Sequence, residues 1–129
     1  MSYIHGAIWW SELTTRDVDA AQAYYRRICG WRFSVTPAAD GGDYFVAHLG
    51  DQPVAGLLDL ALLPDHEDTP AQWVTYIAVD DIDEALTRTR AAGGQVLREG
   101  FDVPDVGRIA MVQDSVGALL GLIRPVRPG

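Results

Sequence analysis

The chain has 129 residues, 48% of them hydrophobic and 22% charged, a length and balance that suit one compact domain and exclude a disordered segment. Its formal net charge of -8 and the absence of any basic cluster exclude nucleic acid and anionic membrane surfaces as partners, since both are bound by displacing counterions with positive charge. All ten basic residues are Arg, and a lone cysteine, Cys29, allows no intrachain disulfide, so a reducing cytoplasm is the expected compartment.

In chain order, Met1-Ser2-Tyr3-Ile4-His5 has neither the basic nor the apolar region of a signal peptide. Ala7–Thr14 is rich in aromatic and β-branched residues and predicts a strand. Asp17 then stands as an N-cap before a helix whose apolar face carries Val18, Ala21, Tyr25 and Ile28, with Gly30 as the stop. Three strands follow, over Arg32–Thr36, Tyr44–Leu49 and Val54–Leu60, separated by Asp40-Gly41-Gly42-Asp43 and Gly50-Asp51-Gln52-Pro53 turns. The apolar run Val54–Leu63 is interrupted by Asp59 and is too short to span a membrane, which takes about 20 residues.

A polar stretch, residues 64–70, leads to a second series. Trp73–Val79 predicts a strand, and Asp81 caps a helix with Ile82, Ala85, Leu86, Thr89 and Ala92 on one face, closed by Gly93-Gly94. Asp81 with Glu84 has the spacing of a capping box. Strands follow over Gln95–Glu99, Arg108–Gln113 and Ala118–Ile123, the last two joined by the Asp114-Ser115-Val116-Gly117 turn. The second series repeats the first at an offset of 64: Asp17 lies over Asp81, Arg26 over Arg90, Gly30 over Gly94 and Trp9 over Trp73. Each half reads βαβββ. The expected fold is therefore α+β, with module 1 over residues 4–63, a linker over 64–70 and module 2 over 71–126, forming a curved mixed sheet around a central concavity.

Trp10-Ser11-Glu12-Leu13-Thr14-Thr15-Arg16-Asp17, Ala23-Tyr24-Tyr25, Gly30-Trp31, Ala78-Val79-Asp80-Asp81-Ile82-Asp83, Gly107-Arg108-Ile109-Ala110 and Asp114-Ser115-Val116-Gly117-Ala118 together resemble the glyoxalase/bleomycin-resistance/dioxygenase (vicinal oxygen chelate) superfamily. The resemblance covers nearly the whole chain and points to the branch called glyoxalase-like or hydroxylase. It implies a ligand in the concavity and, for most members with known chemistry, a divalent metal held by His, Gln or Glu on the first and last strands of each module. Those positions fall here on Trp10, Val74, Gly56 or Leu57, and Gly121, none of which offers a ligating side chain. No metal and no other cofactor is therefore expected. A displaced set built from Glu12 and Tyr76 with His48 or Asp59 would be thin for a divalent ion.

The candidate ligand-binding residues are Trp10, Glu12, Thr14, His48 and Tyr76. Trp10 faces the concavity and can stack on a flat ligand, with Glu12 and Thr14 on the same strand face. Glu12 and Tyr76 are the candidate catalytic pair. Glu12 in an aromatic pocket would act as general acid or base, and its bland alternative is a rim carboxylate paired with Arg16 or Arg108. Trp31 and Trp73 are expected to pack, Cys29 to be a buried inert thiol, and His5 and His66 to be solvated.

Three functions remain open at this point. One is a metal-free binder of a small aromatic or hydrophobic metabolite or antibiotic. The second is an enzyme: a metal-dependent lyase, isomerase or dioxygenase, or a metal-free proton-transfer enzyme using Glu12. The third is a protein–protein module or non-catalytic subunit. The resemblance also implies a homodimer.

Overall fold

The computed structural model describes residues 5–37, 42–63 and 68–126. Its elements run β1 (Ile8–Thr15), α1 (Val18–Cys29), β2 (Arg32–Pro37), β3 (Asp43–Leu49), β4 (Gln52–Asp59), β5 (Gln72–Ala78), α2 (Ile82–Ala91), β6 (Gln95–Val103), β7 (Gly107–Gln113) and β8 (Leu119–Pro125). The order βαβββ occurs twice. A 3-10 turn over Leu60–Leu62 follows β4, capped by the Asp59 carboxylate on the Ala61 N–H. His66 and the middle of the stretch 64–70 lie outside the described residues. By contacts the chain divides into two compact units, Ser11–Trp73 and a second made of the residues up to Trp10 with those from Val74 onward.

In the N-terminal unit the strand order is β2-β3-β4-β1. The β2/β3 and β3/β4 pairs are antiparallel, and β4/β1 is parallel with Glu12 opposite Gly56 and Leu13 opposite Leu57. Alternation sends Glu12 and Thr14 to one face with Tyr44, Val46 and Leu58, all buried, and Leu13 and Leu57 to the other. The Asp17 carboxylate accepts the Ala20 N–H at 2.9 Å, and Gly30 ends α1 in the left-handed region at φ 71°. Despite its apolar stripe, α1 buries none of its residues.

In the C-terminal unit the order is β5-β8-β7-β6, with β5/β8 parallel and the other pairs antiparallel. The segment before β1 runs beside β5, through Gly6 N–H to Ala78 C=O and Ala78 N–H to Ala7 C=O at 2.7 and 2.8 Å. Here the helix is seated. Ile82 and Leu86 of α2 pack with Val79, Ala110, Val112 and Leu122 into one cluster, each Val, Ile and Leu side chain contributing roughly 1.5–3 kcal/mol. Asp81 caps α2 by accepting the Glu84 N–H at 3.0 Å. The capping box is only half made, because the Glu84 carboxylate turns forward to Arg88, 2.7 Å away.

Strand β6 runs four residues beyond its expected end at Glu99, carrying Phe101 and Val103 into the interior. Gly100 does not stop it. A Cβ there would stand 2.9 Å from Ile82 Cγ2 and 3.1 Å from the Arg108 guanidinium, so the glycine makes room for these two side chains. Register shifts between Val96 and Phe101 absorb the irregularity. Among the described residues, no helix is long and apolar enough to cross a membrane.

Candidate functional site

The side chains singled out from the sequence fall on β1, β3 and β5. On β1, Trp10 is half-buried, while Glu12 and Thr14 on the same face are both 0% exposed. The expectation of a rim carboxylate is therefore corrected. Glu12 sits opposite Gly56 on β4 and shares its face with the buried Tyr44, Val46 and Leu58. The guanidinium of Arg16 donates to the Thr69 carbonyl, and that of Arg108 lies between Asp83 and Asp102, 3.6 Å from each. The Thr14 hydroxyl donates to the Gln72 carbonyl at 3.2 Å, which ties β1 to the start of the next series.

His48 sits at the far end of β3, two strands from β1, with Nε2 2.9 Å from the Ser34 hydroxyl on β2. It is a histidine with a local partner. Asp59 is spent on capping the 3-10 turn. Among the described residues, no three His, Cys, Asp or Glu side chains are grouped so as to hold a metal ion.

In the C-terminal unit Tyr76 is 1% exposed and pairs with Gly121 on β8. Its ring lies flat over that glycine: a Cβ on residue 121 would stand 2.3 Å from each of three ring carbons. The position the resemblance assigns to a last-strand metal ligand is thus roofed by an aromatic ring. Tyr76 and Glu12 are 64 residues apart, the repeat offset, and each faces a glycine on its parallel neighbour. The two modules therefore present chemically different groups, a carboxyl and a phenol, from equivalent places. The donor set does not suit a divalent metal, since Trp10, Val74, Gly56, Leu57 and Gly121 bring no ligating atom.

Two features escaped the sequence. Arg98 on β6 is 6% exposed, its guanidinium 4.1 Å above the Phe101 ring. Nothing in the pattern marked it, because an Arg three residues before an apolar position reads as a solvated face; the irregular register of β6 turns it inward. The other is an aromatic group around Tyr25. Trp31 stacks on the Tyr25 ring at 5.2 Å, Trp73 meets its edge at 5.6 Å, and Trp73 Nε1–H donates to the Tyr25 hydroxyl at 3.1 Å. Both tryptophans pack as expected, yet Trp73 stays 43% exposed. Cys29 corrects another expectation, since its thiol is exposed at the end of α1. His5 is solvated as expected, with Nδ1 accepting the Asp80 N–H at 3.0 Å and lying 3.5 Å from the Asp80 carboxylate.

Comparison with known proteins bears on this geometry. A mycobacterial protein from Mycobacterium tuberculosis, the glyoxylase-named CFP32, is 38% identical over 120 residues, covering 93% of this chain and 44% of its own. The anthracycline biosynthesis protein DnrV of Streptomyces peucetius is 30% identical over 129 residues, covering 92% of this chain and 47% of its own. The chain thus spans less than half the length of either relative. Among solved structures, a methylmalonyl-CoA epimerase from Mycobacterium tuberculosis superposes with a TM-score of 0.60 at 18% identity, over 95% of this chain and 89% of that one. The Streptomyces coelicolor epimerase in complex with 2-nitronate-propionyl-CoA gives 0.62 at 17%, over 96% and 100%. At such identities these likenesses show the fold: two βαβββ modules of the vicinal oxygen chelate type. The model of the Glyoxalase/Bleomycin resistance protein/Dioxygenase superfamily matches residues 7–122, and the chain belongs to that superfamily.

Proposed function

We propose that the chain binds a small aromatic or hydrophobic metabolite or antibiotic without a resident metal. The observation that carries this reading is the donor set: where superfamily enzymes hold their metal, this chain has Trp10, Val74, Gly56 or Leu57, and Gly121 beneath the Tyr76 ring. Apolar and aromatic side chains in those places favour a flat apolar ligand over a hydrated ion. The 30% identity to an anthracycline biosynthesis protein supports the same class, since anthracyclines are polycyclic and aromatic. Trp10 is the stacking residue in this proposal, and Glu12, Thr14, His48 and Tyr76 supply polar contacts. A homodimer in the cytoplasm completes the proposal.

Metal content decides the matter. Protein purified without a metal-binding tag is incubated with zinc, nickel, iron and manganese, then desalted and analysed by mass spectrometry. The expected result is no stoichiometric metal, no thermal shift on metal addition, and stoichiometric quenching of tryptophan fluorescence by an anthracycline aglycone that Trp10→Ala abolishes. One tightly held metal per chain overturns the reading.

A second reading rests on Glu12. A carboxyl withdrawn from water can exchange a proton with a bound carbonyl compound without solvent competing for it. It predicts turnover of such a substrate that is lost in Glu12→Gln and unaffected by chelators.

A further inference from the structure

We propose that the groove beside α2 in the C-terminal unit is a separate binding site for a compact amphipathic amine. The groove encloses about 560 Å³, within the 300–1,000 Å³ typical of small-molecule sites. Its floor is apolar: Val79, Ala85, Val112, Leu120 and Leu122. Leu120 and Leu122 flank Gly121 on β8 and so point to the sheet face opposite the Tyr76 ring. The site therefore does not rest on the binding mode proposed above.

Charge selects the ligand. Four carboxylates, Asp80, Asp81, Glu84 and Asp114, line the groove against one guanidinium, Arg88, which is itself paired with Glu84 at 2.7 Å. His5, also at the groove, is engaged through Nδ1 with the Asp80 N–H. The start of α2 contributes about half a positive charge, too little to cancel the excess. Two of the carboxylates are held in place by the backbone: Asp81 Oδ1 accepts the Glu84 N–H, and Asp114 Oδ1 accepts those of Val116 and Ala118 at 2.9 and 3.0 Å. The occupant is not a bare metal ion, because no three acidic, His or Cys side chains among the described residues group to hold one. Acidic groups spread around an apolar floor instead match an organic cation whose apolar body covers the floor and whose ammonium reaches the edge.

The test uses naphthylmethylamine, with naphthylmethanol as neutral isostere and naphthylacetate as anion, followed by amide chemical-shift mapping on the intact protein. The amine is expected to shift Val79, Ala85, Thr89, Leu120 and Leu122, and to bind about fivefold more tightly than the alcohol at low salt. Asp80→Asn with Glu84→Gln, both at exposed positions, is expected to erase that preference while leaving the thermal midpoint within a few degrees. Equal binding of amine and alcohol overturns the assignment. So does an absence of groove shifts up to the solubility of the probe, or a response centred on Trp10 and Tyr76.

Discussion

Gly121→Ala tests the packing that closes the candidate site in the C-terminal unit. The added Cβ would lie 2.3 Å from three carbons of the Tyr76 ring, whereas carbon atoms rest at about 3.5–4.0 Å. The ring must retreat by about 1.2 Å, and at 1% exposure it has no solvent to retreat into. Overpacking of this kind costs about 1–3 kcal/mol, and full burial argues for the upper end. Against that, replacing a glycine by alanine recovers about 0.4–1 kcal/mol by restricting the unfolded chain. The clash wins, with a net loss of about 2 kcal/mol and a fall in Tm of roughly 8 °C for a chain of this size. Urea titration of Gly121→Ala, Tyr76→Ala and the double variant checks the cause. Tyr76→Ala alone costs about 3–5 kcal/mol by cavity formation. With the ring gone the new methyl meets nothing, so the double variant should be no less stable than Tyr76→Ala, a coupling of about 2 kcal/mol. Additive losses, or a Gly121→Ala protein as stable as the parent, would refute the stacked geometry.

Other expectations follow from local structure. Gly107 sits at φ 143° with its would-be Cβ 2.3 Å from the Arg124 carbonyl oxygen, so Gly107→Ala should destabilise by about 3 kcal/mol or more and leave little folded protein by circular dichroism. Amide hydrogen exchange should be faster across α1, which has no fully buried residue, than across α2, anchored by Ile82 and Leu86; equal protection would contradict the difference. Cys29 should react stoichiometrically with a thiol reagent in native buffer, and a thiol reactive only after unfolding would mean that α1 is covered. Asp81→Ala should cost about 1 kcal/mol in urea titration through loss of the cap on the Glu84 N–H.

The repeat made most of the architecture legible. Asp17 and Asp81 mark both helix starts because an unsatisfied first turn needs an acceptor, and both carboxylates do accept. What stayed hidden depends on neighbours distant in sequence. The strand expected to end at Glu99 runs on through Gly100, whose missing side chain leaves space for Ile82 and Arg108. Arg98 reads as a surface charge, and only the shifted register of its strand shows that it lies against Phe101. Ile28 reads as part of the inner stripe of α1 and Cys29 as a buried thiol, but periodicity reports which side is apolar and not whether anything covers it. For the candidate site, alternation placed Glu12 and Thr14 on one face correctly, while their complete burial depended on Tyr44, Val46 and Leu58, which share that face from strands distant in sequence.

The Tyr76–Gly121 stack also limits where this chain can go by mutation. A histidine or glutamate introduced at position 121 would have to pass through the ring above it, and a smaller residue at position 76 alone would open a cavity at a cost comparable to much of a domain's total stability. Each change is harmful without the other, so a ligating side chain on β8 lies across a fitness valley rather than one step away. Laboratory selection for metal-dependent turnover from this scaffold should therefore find its donors elsewhere, or find both substitutions together.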